Sequence, residues 1–95
     1  MFYQLTEQDK QAIASGRAVL LDVRRPDEFK AGHLKNARNF NVELIDAGQY
    51  PDIPKDIPIF TYCRRGVRAE RAEQALTAAG FTSVKNIGGL TDISE

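Results

Sequence analysis

The residues whose types and spacing could do chemistry lie around one cysteine. Cys63 is the only cysteine in the chain, and the sequence that begins with it reads Cys-Arg-Arg-Gly-Val-Arg over residues 63–68. Four of the eight arginines fall within residues 63–71. Arginine guanidinium groups stabilise a neighbouring thiolate and present paired donors that suit oxyanions. This motif therefore predicts a cysteine nucleophile in an anion-binding loop.

The expected geometry of this loop follows from its place in the sequence. The apolar run IFTYC, residues 59–63, predicts a strand, and a helical pattern begins at Val67. Gly66 permits a tight turn between them, because glycine tolerates positive φ. Backbone N–H groups at such a turn and at a helix start favour negative charge. We expect Cys63 to be the nucleophile, and the expected substrate-binding residues are Arg64, Arg65, Gly66, Val67 and Arg68.

A structural interpretation of the same residues has to be weighed beside this one. A lone cysteine often only packs in a core. The arginines could belong to a solvated helix face with Glu70 and Glu73 as partners, and we favour that interpretation for Arg71. The strand end, Gly66 and the arginine cluster together favour the functional interpretation for the other loop residues.

The elements that must position this loop can be read from hydrophobic periodicity and from capping residues. Thr6 is suited to begin a first helix and Gly16 to end it. Pro26 suits the first turn of a second helix, which Gly32 ends. Gly80 is the expected C-cap of a third helix. The predicted helices cover residues 7–15, 25–32 and 67–79, with weak helical character over 41–48; the predicted strands cover 18–23, 59–63 and 81–87, with a short strand within 36–42. Residues 50–58 are expected to form a loop and residues 88–90 a turn.

Alternation of strands with helices predicts one α/β domain over residues 1–95. The apolar strands 18–23 and 59–63 are typical of a small parallel sheet covered by helices on both faces. Ligands of such sheets bind beyond the carboxyl ends of the strands. Cys63 is the last residue of a predicted strand, so the expected site lies where this architecture places chemistry.

Composition excludes several classes of function. Thirteen basic and thirteen acidic side chains leave no net charge, which argues against a nucleic-acid-binding protein. One cysteine and one histidine do not make a usual structural zinc site, and we expect no metal or cofactor. No apolar run is long enough to cross a membrane, and the first residues do not resemble a signal peptide. We expect a cytoplasmic protein, or a periplasmic one if a signal peptide has been removed.

The length of the loop bears on the substrate. Cysteine phosphatases wrap phosphate in a Cys-x5-Arg loop, whereas Cys63 and Arg68 define Cys-x4-Arg. A loop one residue shorter holds a smaller group above the sulfur. A single sulfur atom bound as a persulfide fits it better than a tetrahedral phosphate does.

Three blocks of the sequence resemble the single-domain rhodaneses, a family of thiosulfate sulfurtransferases. They are LLDVRRPDEFKAGHLKNARNF over residues 20–40, TYCRRGVRAERAEQALTAAGF over 61–81 and VKNIGGLTD over 84–92. The resemblance implies that Cys63 takes the outer sulfur of thiosulfate as a persulfide, releases sulfite and passes the sulfur to cyanide or a thiol. It also implies small-molecule partners or a sulfur-accepting protein.

This chemistry needs no general base, since sulfite leaves as a stable anion and the thiolate is already ionised. We therefore expect a structural role for His33, a structural ion pair or hydrogen-bond network for Asp22 and Arg24, and a helix-face ion pair for Glu28. The alternatives that stay open are a phosphatase or arsenate reductase with the same type of loop, a non-catalytic rhodanese-fold binding module, and a carrier that takes persulfide from a protein.

Overall fold

The computed structural model of the protein describes residues 3–94 and consists of a parallel sheet with helices on both sides. The elements in chain order are β1 (Tyr3–Gln4), α1 (Glu7–Ser15), β2 (Val19–Asp22), α2 (Pro26–Ala31), β3 (Arg38–Asn39), α3 (Val42–Asp46), β4 (Ile59–Cys63), α4 (Val67–Ala78), β5 (Val84–Gly89) and β6 (Ile93–Ser94). A turn of 3-10 helix, Leu90–Asp92, connects β5 to β6. None of the helices within residues 3–94 is long and apolar enough to cross a membrane.

The main sheet contains four parallel strands in the order β3-β2-β4-β5. The strands β2 and β4 are central, and their in-register pairing places Asp22 opposite Tyr62. Nearly every residue of these two strands is buried, which explains why both appear in the sequence as short continuous apolar runs. The predicted class of fold, an α/β protein with a parallel sheet, is confirmed.

Two hydrophobic cores lie on opposite faces of the sheet, because successive side chains of a strand point to opposite sides. Ile59 and Cys63 of β4 pack into one core together with α3 and α4. Tyr62 of the same strand packs into the other core, to which α1 contributes Ile13. Helices therefore cover both faces, as the sequence predicts.

Capping residues set the ends of the helices where the sequence places them. Thr6 accepts a hydrogen bond from Asp9 N at 3.0 Å while the Asp9 carboxylate accepts one from Thr6 N at 3.0 Å, so α1 begins with a complete capping box. Gly16 ends α1 with φ 82°. The predicted α2 lies between Arg25 and Gly32 as expected. At the end of α4, the C-cap is Ala79, and the predicted Gly80 follows it with φ 102°.

Several predicted boundaries at the chain ends are wrong. The last strand is not 81–87 but Val84–Gly89, so the Gly-Gly pair belongs to β5 and is not a turn. The strands β1 and β6, which were not predicted, pair in parallel as a second, two-stranded sheet. Strands of two residues carry too little periodicity to be recognised. The strands over 18–23 and within 36–42 are present but shorter than predicted.

Candidate active site

Cys63 lies at the junction between the carboxyl end of β4 and the start of α4. Its residue surface is almost completely buried, and it has no disulfide partner. The sulfur accepts hydrogen bonds from the backbone N–H groups of Gly66 at 2.9 Å and Ala69 at 3.4 Å. Both donors point at the sulfur from the first turn of α4, where the helix dipole also favours negative charge. The sulfur therefore has two backbone donors held in fixed positions.

The turn that carries these donors depends on Gly66. This residue is the N-cap of α4 and has φ 96°, a conformation that L side chains rarely adopt. Its carbonyl accepts a hydrogen bond from Glu70 N at 2.9 Å and another from the Asn86 side-chain amide at 3.3 Å. The turn predicted at Gly66 is therefore present, and it is fixed both by α4 and by β5.

The end of β5 packs against the backbone of the loop that follows Cys63. Gly89 lies opposite Cys63 across the β4–β5 pair, just after an irregularity in the register. A Cβ atom on Gly89 would lie 2.9 Å from Arg65 Cα and 3.0 Å from the carbonyl carbon of Arg64. Any side chain there would push the loop away, so close approach of two backbones explains this glycine.

Asn86 holds the same region together from within β5. Its side-chain oxygen accepts a hydrogen bond from Gly88 N at 2.8 Å, while its amide group donates to Gly66 O. Its own backbone N–H donates to the carboxylate of Glu73 at 2.9 Å. Asn86 and Gly89 were not predicted to be parts of the site. The Gly-Gly pair is the only signal in the sequence, and it is equally typical of the turn predicted there.

A shallow cavity of about 190 Å³ opens above the cysteine. Its lining consists of Cys63, Arg64, Arg65, Val67 and Arg68. The side chains of Arg64 and Arg65 are exposed, and 71% of Val67 is exposed. Gly66 does not line this cavity but a larger neighbouring one of about 530 Å³. The structure thus brings every predicted loop residue except Gly66 together around one small opening.

Arg68 differs from the free anion-binding side chain that the sequence analysis expected. Its two terminal nitrogens donate to the two carboxylate oxygens of Glu28, at 2.7 and 3.0 Å. Hydrogen bonding to Arg68 is the largest cause that lowers the pKa of Glu28 to about 2, and the same contact raises the pKa of Arg68. Glu28 pairs with a basic side chain as expected, but its hydrogen-bonded partner is Arg68 of α4, while Arg25 beside its own helix lies 3.6 Å away.

Asp22 and Arg24 form the buried ion pair that the sequence analysis favoured. Arg24 donates to Asp22 Oδ2 at 2.7 Å and to the carbonyl of Gly32, the C-cap of α2, at 2.6 Å. Tyr62 lies beside this pair and accepts a hydrogen bond from Leu34 N at 3.0 Å, and burial raises the pKa of its hydroxyl. This network fixes α2 against the sheet and so fixes the helix that carries Glu28.

His33 and Arg71 lie outside the cavity. His33 is exposed, stacks on Phe29 with a ring-centroid distance of 3.7 Å, and its Nδ1 lies 2.9 Å from Phe29 O. Those contacts fit the structural role expected for it. Arg71 lies on the solvated helix face as expected, but its partner is Asp46 of α3 at 2.8 Å and not Glu70 or Glu73.

Comparison with known proteins gives the family. The model of the rhodanese-like domain matches residues 5–95. The chain belongs to the rhodanese-like family. It is a rhodanese-domain protein of the sulfurtransferase class. Among residues 3–94, no three or more histidine, cysteine or carboxylate side chains form a group that could hold a metal ion.

Relatives and solved structures are similar over most of the chain. The uncharacterised protein YqhL of Bacillus subtilis is 38% identical over 90% of this chain, which spans 66% of YqhL. The thiosulfate sulfurtransferase PspE of Escherichia coli is 31% identical over 78% of this chain and 72% of its own length. The human single-domain sulfurtransferase TSTD1 superposes with a TM-score of 0.74 at 27% identity, covering 93% of this chain and 88% of that structure. An E. coli rhodanese solved with anions superposes with a TM-score of 0.69 at 31% identity, covering 81% and 92%.

Proposed function

We propose that this protein is a thiosulfate sulfurtransferase that carries the transferred sulfur as a persulfide on Cys63. The observation that supports this most is the pair of backbone N–H groups directed at the cysteine sulfur within a cavity walled by arginines. A thiolate held by fixed donors is ready to attack without a neighbouring base. An anionic donor is attracted to the same opening by Arg64 and Arg65.

In the first half-reaction, the Cys63 thiolate attacks the outer sulfur of thiosulfate. The sulfur–sulfur bond of thiosulfate breaks, its electron pair leaves with sulfite, and Cys63 keeps the outer sulfur as a persulfide anion. The backbone from Arg64 to Arg68 surrounds the added sulfur, and the exposed side chains of Arg64 and Arg65 hold the sulfonate end. No proton has to move, so the exposed His33 is not needed as an acid or base.

In the second half-reaction, a nucleophile takes the outer sulfur and returns Cys63 to the thiolate. Cyanide gives thiocyanate, and a thiolate gives a new persulfide on the acceptor. The shallow, open cavity leaves the outer sulfur within reach of a small molecule or of a thiol on a protein surface. Thiosulfate sulfurtransferase activity in the relative PspE supports the same substrate class for this chain.

The reaction is tested by measuring sulfite release from thiosulfate with cyanide as acceptor, together with phosphate release from an aryl phosphate. Wild type should release sulfite and little phosphate. Cys63→Ser should fold and release none, because an alcohol is far less acidic than a thiol and cannot carry the sulfur. His33→Ala should keep most of its turnover.

Two patterns of activity would contradict the proposal. One is sulfite release by Cys63→Ser at the wild-type rate. The other is efficient phosphate release with no sulfur transfer in wild type, which would assign the loop to a phosphatase. A folded wild-type protein inactive in both assays would point to a non-catalytic binding module.

A further inference from the structure

The ion pair between Arg68 and Glu28 changes the charge that the cavity presents to a substrate. Arg68 lines the cavity, whereas Glu28 lies behind it on α2. Both terminal nitrogens of Arg68, the pair of donors that a sulfonate group would use for a bidentate contact, are held by the two oxygens of Glu28. The side chain of Glu28 is only 13% exposed, so solvent screens this carboxylate poorly.

The other arginines near the opening differ from Arg68 in their exposure to solvent and in their ion pairs. Arg64 and Arg65 are exposed side chains that water screens. Arg25 approaches Glu28 at 3.6 Å but is also paired with Asp27 at 3.1 Å. Arg68, the least exposed arginine of the cavity wall, therefore has its charge compensated by the ionised carboxylate with which it pairs.

We propose that Glu28 is a specificity-determining residue that lowers the preference of the site for doubly charged sulfur donors. Its carboxylate occupies the paired donors of Arg68 and adds a negative charge, and this charge acts twice as strongly on a dianion as on a monoanion. The consequence is a site that accepts singly charged donors, such as thiosulfonates and persulfide anions, nearly as readily as thiosulfate. This inference rests on the proposed sulfur transfer.

Two donors that differ by one charge test this inference directly. Thiosulfate carries two negative charges and methanethiosulfonate carries one, and both offer a terminal sulfur to the same thiolate. Attack on methanethiosulfonate breaks its sulfur–sulfur bond, leaves the persulfide on Cys63 and releases methanesulfinate with the electron pair. The ratio of the KM values for the two donors removes any effect of a variant on the reactivity of the Cys63 thiolate, because that effect is the same for both donors.

Glu28→Gln removes the charge and keeps the size of the side chain. It should lower the KM for thiosulfate roughly tenfold and the KM for methanethiosulfonate only about threefold, since the interaction scales with substrate charge. Asp27→Asn removes a neighbouring but exposed charge and should change either KM less than about twofold. Equal changes for both donors, or a higher KM for thiosulfate in Glu28→Gln, would overturn the inference.

Two further variants keep the test informative if Glu28→Gln alone folds poorly. Arg68→Gln leaves the Glu28 charge uncompensated and should raise the KM for thiosulfate more than that for methanethiosulfonate. The double variant Glu28→Gln/Arg68→Gln carries a neutral pair, and its ratio of the two KM values should return to within about twofold of wild type. If the double variant discriminates as Arg68→Gln does, Arg68 itself binds the anion and the inference is wrong.

Equilibrium binding separates this inference from the proposed reaction. In the Cys63→Ser background, which cannot turn over, Glu28→Gln should increase the affinity for sulfate several-fold more than the affinity for methanesulfonate, as measured by calorimetry. If wild type transfers no sulfur from either donor, the proposed function fails while this charge selectivity can still be observed. If sulfur is transferred but sulfate and methanesulfonate respond equally, only the role of Glu28 is wrong.

Discussion

At the scale of single residues, the site depends on how each charge is paired. The sequence was sufficient to predict that Cys63 ends a strand and begins a tight loop, because the motif around it is local. It was not sufficient to predict the partner of Arg68, because Glu28 lies forty residues away in the chain. Only the positions of α2 and α4 bring the two together. The side chains of Arg64 and Arg65 are exposed to solvent, whereas that of Arg68 is held in the wall of the cavity by its ion pair.

The ion pair between Glu28 and Arg68 makes the free energy of unfolding depend on pH. The pKa of Glu28 is lowered from 4.5 to about 2 in the folded protein. Its stabilising contribution is therefore complete above the unfolded value and is lost as the pH falls through 4.5 toward 2. Since Arg68 is partly exposed, we expect about 1–2 kcal/mol from this pair.

Chemical denaturation of wild type and Glu28→Gln across this pH range checks that expectation. Wild type should be the more stable of the two at pH 6, and their free energies of unfolding should converge near pH 2. Asp27→Asn provides the control, since its exposed carboxylate should contribute much less. A difference between wild type and Glu28→Gln that stayed constant with pH would mean that the carboxylate is not the stabilising group.

At the scale of secondary-structure elements, the loop is shaped by its neighbour β5 as much as by its own sequence. The strand over residues 59–63 could be predicted from its continuous apolar run, and α4 from its helical periodicity. The position of β5 could not, since its last two residues are glycines that are typical of turns as well as of close backbone contacts. Gly89 is present because the loop backbone passes directly over it. The side-chain amide of Asn86 connects β5 to the loop by its hydrogen bond to Gly66 O, which no sequence pattern shows.

Gly89→Ala tests this support. Its Cβ would meet the backbone of Arg64 and Arg65, which cannot yield as a flexible side chain does. We expect the loop to shift and sulfur transfer to fall at least about a hundredfold, because small displacements of reacting groups are costly. Sulfite release and thermal unfolding should be measured together.

Gly48→Ala is the matched control for that experiment. Gly48 has φ 87°, but a Cβ atom added there would meet no atom within 4 Å, and the residue lies outside the site. The backbone strain should cost about 1 kcal/mol of stability and leave the activity of the folded protein unchanged. Equal loss of activity in Gly48→Ala and Gly89→Ala would show that general destabilisation, and not the loop contact, explains the effect.

At the scale of the whole molecule, the parallel sheet brings the residues of the candidate site together at the carboxyl ends of its strands. The carboxyl ends of β2 and β4 carry Asp22 and Cys63, and the helices that follow them carry Glu28 and Arg68. The sequence could predict this arrangement because alternating strands and helices constrain a parallel sheet strongly. It could not predict that β1 and β6 pair with each other, because that contact joins two segments of two residues from opposite ends of the chain.

The central claim is that Cys63 carries the sulfur between donor and acceptor, and intact-mass spectrometry after thiosulfate treatment tests it most directly. Wild type should gain the mass of one sulfur atom, lose it again on addition of cyanide, and show the added sulfur on the peptide that contains Cys63. Cys63→Ser should remain unmodified under the same conditions. A wild-type protein that releases sulfite without gaining sulfur, or a Cys63→Ser protein that gains it, would contradict this account.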